Sequence, residues 1–163
     1  MRYRKAKFFW KKNHSSKVIS CIEYDDETEY YTFIKKCHSQ KYRQIIITSE
    51  LMIDIIKYFA IEKQWLVFEI DLAEDDHELK QDLEVLINNT NQDRIYFHQL
   101  IDELCFLSEQ SSIDIKRVYI KGRDVEGVAI NFFIQSNGII GINTESFDNI
   151  SNDIKKIIEE YLL

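Results

Sequence analysis

The sequence predicts an α+β or mixed α/β chain folded as one layered domain over residues 1–163. The expected parts are a largely antiparallel sheet, one candidate β–α–β unit, a two-helix segment in the middle and a C-terminal amphipathic helix packed on the sheet. Three observations point there. Aromatic and β-branched runs read as strands through the first third, and a period of two returns over residues 113–144. A period near 3.6 replaces them in the middle. The last stretch carries Ile150, Ile154, Ile157, Ile158, Tyr161 and Leu162 on one helical stripe, which needs an apolar surface to cover it.

Taken in order, residues 5–10 and 17–24 read as two strands around the polar segment Lys11–Ser16, a hairpin in which Val18, Ser20, Ile22 and Tyr24 alternate with Ile19, Cys21 and Glu23. Tyr30–Ile34 reads as a third strand and Gln44–Thr48 as a fourth. Ser49 is then the expected N-cap of a helix whose face is Met52, Ile55, Ile56 and Phe59. Trp65–Ile70 follows as a buried strand, and strand, helix and strand with short joints predict a parallel, right-handed crossover. A helix over 73–87 presents Leu79, Leu83, Leu86 and Ile87, and Asn88-Asn89-Thr90-Asn91 is expected to break it. Phe97, Leu100, Ile101 and Leu104 mark the second helix of the pair. From Ile113 the period returns to two, and Gly122–Gly127 and Ser136-Asn137-Gly138 cut residues 113–144 into three strands of a meander.

With 163 residues and 45% hydrophobic side chains, the chain has enough apolar material for a core without disulfide or metal staples. Cys21, Cys37 and Cys105 are odd in number and far apart, so they are expected to be reduced thiols. Only Phe8-Phe9-Trp10 is apolar near the basic start, too short for a secretory signal, and no run approaches the ~20 residues of a membrane span. The expected location is therefore the cytoplasm, with no membrane partner. Four glycines and no proline leave no phosphate-cradling motif, and no cofactor is expected.

No residue set specifies a reaction, so the expectation is a protein that is not an enzyme. Cys37 and His38 are sequence neighbours, and side chains adjacent on a strand point apart. His98 and Asp102 are four apart on a helix, half of a metal site at best. His77 lies among carboxylates that a wet helix start explains, and His14 falls in a loop.

Charge is the informative feature. The first twenty residues hold seven Lys or Arg and no acid, although the chain carries −7 overall. Residues 1–46 balance at +6 and residues 47–163 at −13, and residues 69–84 gather eight carboxylates against Lys80. Either the acidic helix neutralises the basic hairpin, or it is a face for a basic partner, where concentrated potential speeds and selects association. Small size, acidity and the lack of a catalytic set make a profile similar to that of bacterial immunity proteins, which neutralise toxins, often nucleases with basic clefts. That likeness implies a protein-binding inhibitor or antitoxin that occludes a toxin domain through Glu74, Asp75, Asp76, Glu78, Asp82, Asp102 and Glu103, with Glu109 beside them. The alternative is a nucleic-acid-binding module on Arg2, Arg4, Lys5, Lys7, Trp10, Lys11 and Lys12, with Lys17, Tyr3, Phe8 and Phe9 adding charge and stacking surface. The −13 balance of the remainder disfavours it. An edge strand also leaves a homodimer open.

Overall fold

The computed structural model describes residues 2–162. In chain order the elements are β1 (Tyr3–Asn13), β2 (Ser16–Tyr24), α1 (Tyr30–Ser39), β3 (Arg43–Gln44), α2 (Ser49–Lys57), β4 (Leu66–Leu72), α3 (His77–Gln92), α4 (Phe97–Gln110), β5 (Ile115–Arg123), β6 (Ala129–Gln135), β7 (Ile139–Asn143) and α5 (Phe147–Leu162). The fold is α+β, and every strand ladder described below is antiparallel. The chain forms two compact units, Met1–Ile47 with Asn137–Leu163, and Thr48–Ser136.

In the first unit β1 is the central strand. It pairs with β2 from Lys5 opposite Tyr24 to Asn13 opposite Ser16, and with β7 from Tyr3 opposite Asn143 to Lys7 opposite Ile139. The β1–β2 turn passes through His14, whose φ of 58° is left-handed; Lys41, Gln64 and Ser112 share that conformation in a chain that has few glycines to spend on it. At Asn137-Gly138 the turn does use glycine. Gly138 has φ 84°, and a Cβ there would meet the Ile45 carbonyl oxygen at 2.8 Å.

Two strand assignments fail in this unit. Tyr30–Ile34 is not a strand but the first half of α1, because Phe33 and Cys37, four apart, are the residues that become buried. They pack on Phe9, and Tyr24 stacks on Phe33 at 4.7 Å. The fourth strand shrinks to β3, paired with β1 opposite Phe9 and Trp10. Ile45 and Ile47 are buried beyond it, whereas Ile46 is 65% exposed. As expected, α5 lies on the sheet, against β2 and β7, and buries Phe147, Ile150, Ile154 and Ile158. Each such side chain contributes about 1.5–3 kcal/mol on leaving water. Lys7 is fully buried, and its ammonium donates to the Asn137 carbonyl oxygen. Burial lowers its pKa to about 8.

In the second unit α2 begins one residue earlier than expected. Thr48 is the N-cap and accepts from Leu51 N at 3.2 Å. Ser49 instead points into the protein, donates from Oγ to Asp114 Oδ1 at 2.9 Å and accepts from Ile115 N at 3.0 Å. Ser49→Ala is therefore expected to cost about 1–3 kcal/mol in a denaturant titration, since it strands a buried N–H. A loss no larger than at an exposed serine would contradict this bonding.

After α2 the chain makes a π-helical turn, Tyr58–Glu62, that buries Phe59 and Ala60. The parallel crossover is not formed. β3 lies antiparallel on β1, and β4 runs antiparallel to β5, the helices α3 and α4 lying between β4 and β5 in the chain. β5 and β6 form the following hairpin. The asparagine run does not end α3. Thr90 is buried with its hydroxyl on Leu86 O at 2.8 Å, and Asn91 Nδ2 donates to Val67 O at 2.9 Å, so the helix continues to Gln92. It also starts later, at His77, with residues 73–76 outside it. Phe97, Leu100, Ile101 and Leu104 face inward on α4, joined by Leu107. Arg94 braces the α3–α4 junction, donating to Ala60 O at 2.9 Å and Trp65 O at 3.2 Å.

Candidate functional site

The structure separates the acidic residues by role. Asp76 is the N-cap of α3 and accepts from Leu79 N at 3.2 Å. Asp71 pairs with Arg117 at 3.2 Å on the sheet. Glu74, Asp75, Glu78 and Asp82 are exposed, and among the described residues none of the four has an ion-pair partner. Glu78, Asp82 and Val85 follow one another at helical spacing on the outer side of α3, opposite buried Leu83 and Ile87, and Val85 is 58% exposed. Residues 73–76 also border a cleft of about 440 Å³ with Lys80 and Lys116 on its walls. On α4, Asp102, Phe106 and Glu109 form a similar stripe; Phe106 is 54% exposed, and Glu103 is half-buried. Unit by unit, Thr48–Ser136 carries eight basic and eighteen acidic side chains, and the remainder carries thirteen and ten.

The basic opening finds its counter-charges close by. Arg4 is paired with Glu23, and Lys5 with Asp26 at 3.0 Å. Arg4 also lies over the Phe147 ring at 4.2 Å. Lys7, Phe8 and Phe9 are buried, and only Arg2, Tyr3, Lys12 and Lys17 are plainly exposed. The strand register puts Trp10, Lys12 and Lys17 on one face and Lys11 on the other. Lys17 sits over Trp10 at 4.6 Å and Lys11 over Tyr42 at 4.8 Å. The seven residues named for nucleic acid thus do not share one surface.

The remaining candidates stay apart. Cys37 is buried while His38 is exposed, and burial raises the Cys37 thiol pKa. Burial pushes the Cys21 thiol up to about 12, with Glu23 adding to it. Among the described residues no three His, Cys, Asp or Glu side chains are grouped to hold a metal ion, and no helix is long and apolar enough to cross a membrane.

Sequence reasoning missed the outer face of the β4–β5–β6 sheet. One side buries Val67, Ile70, Val118, Ile120, Phe132 and Ile134. The other carries Phe68, Tyr119 and Phe133, one ring from each strand, with centroids 5.5 and 5.9 Å apart. A bulge between Val67 and Glu69 accompanies the placement of Phe68 beside Tyr119. Alternation within β5 and β6 was a signal for two of these rings; the bulge hid the third. No family model matches the chain, and neither the curated proteins nor the solved structures searched give a match.

Proposed function

We propose that this chain is a small protein-binding inhibitor, of the kind of a bacterial immunity protein or antitoxin, that docks a basic partner on the acidic outer side of α3 and the segment 73–76 that leads into it. The observation that carries this reading is that Glu74, Asp75, Glu78 and Asp82 are exposed and unpaired among the described residues, while Arg4 and Lys5 take Glu23 and Asp26. Carboxylates left in water at this density cost self-repulsion, and a cationic surface relieves it. Val85 and, on α4, Phe106 are the exposed apolar groups from which central contacts could be built. The inhibitor acts by occlusion, its carboxylates occupying the place of the partner's anionic substrate, and a nuclease domain is the toxin that fits such a mechanism. The alternative of a nucleic-acid module on the opening hairpin has less support, since Lys7 is buried and Arg4 and Lys5 are already paired.

The test is charge reversal at Glu74, Asp75, Glu78 and Asp82 to lysine, with Asp76 kept because it caps α3. Stability is expected to stay close to that of the parent, within about 0.5 kcal/mol per site. Immobilised parent chain is expected to retain from extract of its own source a basic protein that salt elutes, with the reversed variant ~10–10³-fold slower to bind it. The chain should also inhibit that protein's activity. Equal retention by parent and variant, or retention indifferent to salt, would sink the reading.

A further inference from the structure

We propose that the outer face of the β4–β5–β6 sheet binds a single-stranded oligonucleotide, its bases on the Phe68–Tyr119–Phe133 row and its phosphates along the adjoining cationic cleft. The unit that bears this face also bears the acidic side of α3 and is strongly acidic as a whole, so the proposed binding rests on the local grouping of cations beside the row. The three half-exposed rings span the sheet without a break, offering successive stacking surfaces at right angles to the strands. Such platforms bind bases with little regard to sequence, because every base has a π-face.

Cations border the row. Lys121 lies 4.2 Å from the Phe68 ring, and the Arg117 guanidinium 5.2 Å from Tyr119 and 6.0 Å from Phe133. Arg117 is held by Asp71, and Glu69 stands opposite Tyr119, so that side of the row is electrically balanced. The other side is not. There Leu66 and Lys121 open into a cleft of about 650 Å³ bordered by Lys63, Trp65, Arg123 and Asn131, with no carboxylate among its lining residues. Three of the eight cations of a strongly acidic unit are gathered in this one place.

At the rim of the cleft the packing turns to the buried side of β5, where Gly122 follows Ile120 in the alternation. At Gly122 a Cβ would lie 2.2 Å from the Trp65 ring, so glycine is what lets the indole lie against β5. Trp65 in turn stacks on Phe59 at 5.4 Å, which anchors the wall in the core. Cross-strand aromatic pairs alone would account for sheet stability. They would not account for cations collected on the one flank that lacks acids, and charge complementarity selects a polyanion with stackable groups.

The experiment is fluorescence anisotropy of end-labelled oligo-dT and oligo-rU of about twelve nucleotides, titrated with the full chain at about 50 and about 200 mM salt. Binding that weakens with salt is expected, and the tighter of the two oligonucleotides identifies DNA or RNA as the natural ligand. Lys63→Gln with Lys121→Gln is expected to lower the salt slope by about two, and Phe133→Leu to weaken binding ~10-fold. Lys11→Gln with Lys12→Gln should leave affinity unchanged. Melting curves identify any variant that fails to fold, and the lysine pair, being exposed, keeps the test decisive if Phe133→Leu does. No binding of either oligonucleotide at low salt would overturn the proposal. So would binding that the hairpin variant abolishes and the sheet variants leave intact, or retention on this face of a protein alone.

Discussion

Phe59→Ala is expected to lower the unfolding free energy by about 3–5 kcal/mol, the cost of removing a buried aromatic ring and leaving its cavity. Phe59 is fully buried. Its ring meets Tyr58 at 4.9 Å, Trp65 at 5.4 Å and Phe132 at 4.8 Å, so one truncation removes three aromatic contacts at once. Because Trp65 stacks on it, near-ultraviolet dichroism should lose intensity together with stability. Phe59→Leu keeps most of the volume and should cost well under half as much. A truncation loss below about 1 kcal/mol would mean that the rings repack freely and that Phe59 is not their centre.

Lys7 is expected to make stability rise with pH in the alkaline range. Its pKa is lowered to about 8 in the folded chain by desolvation, from an ordinary 10.5. Below pH 8 both states hold the proton, and the folded state bears the full cost of a buried charge. Between about 8 and 10.5 the folded state releases its proton first, the unfolded state binds more protons, and stability increases with pH. The whole interval is worth on the order of 3 kcal/mol. Cys21 works in the opposite direction. Its thiol is pushed up to about 12 while the unfolded thiol ionises near 9.0, so it removes stability above that pH. Comparing the parent with Lys7→Met in denaturant titrations from pH 7 to pH 10 isolates the lysine. The gap between the two curves should close as pH rises, and parallel curves would refute the assignment.

How far the sequence reveals the fold depends on how many residues carry each periodic signal. α5 was legible because six apolar residues keep one stripe over its whole length, and α4 for the same reason. Tyr30–Ile34 misled because five residues cannot separate period two from period 3.6, and Cys37, which completes the helical pair with Phe33, lay outside the window. The asparagine run misled because intrinsic preference yields to tertiary bonds: Asn91 is held by Val67 O. The order strand, helix, strand does not by itself fix the ladder, and here β4 met β5. For the candidate sites, the density of acid on residues 69–84 was visible in one dimension. That Asp76 is a cap and Asp71 an ion-pair partner was not, since both depend on geometry. The aromatic row is still harder to foresee, because Phe68 lies far along the chain from Tyr119 and Phe133 and meets them only through strand register.

The left-handed backbone at His14, Lys41, Gln64 and Ser112 has an engineering consequence. Side chains with a Cβ tolerate that geometry poorly, and glycine does not. The chain therefore lies short of the robustness its own topology permits, and four single-codon-scale changes to glycine are where a thermally hardened version of the same backbone would begin.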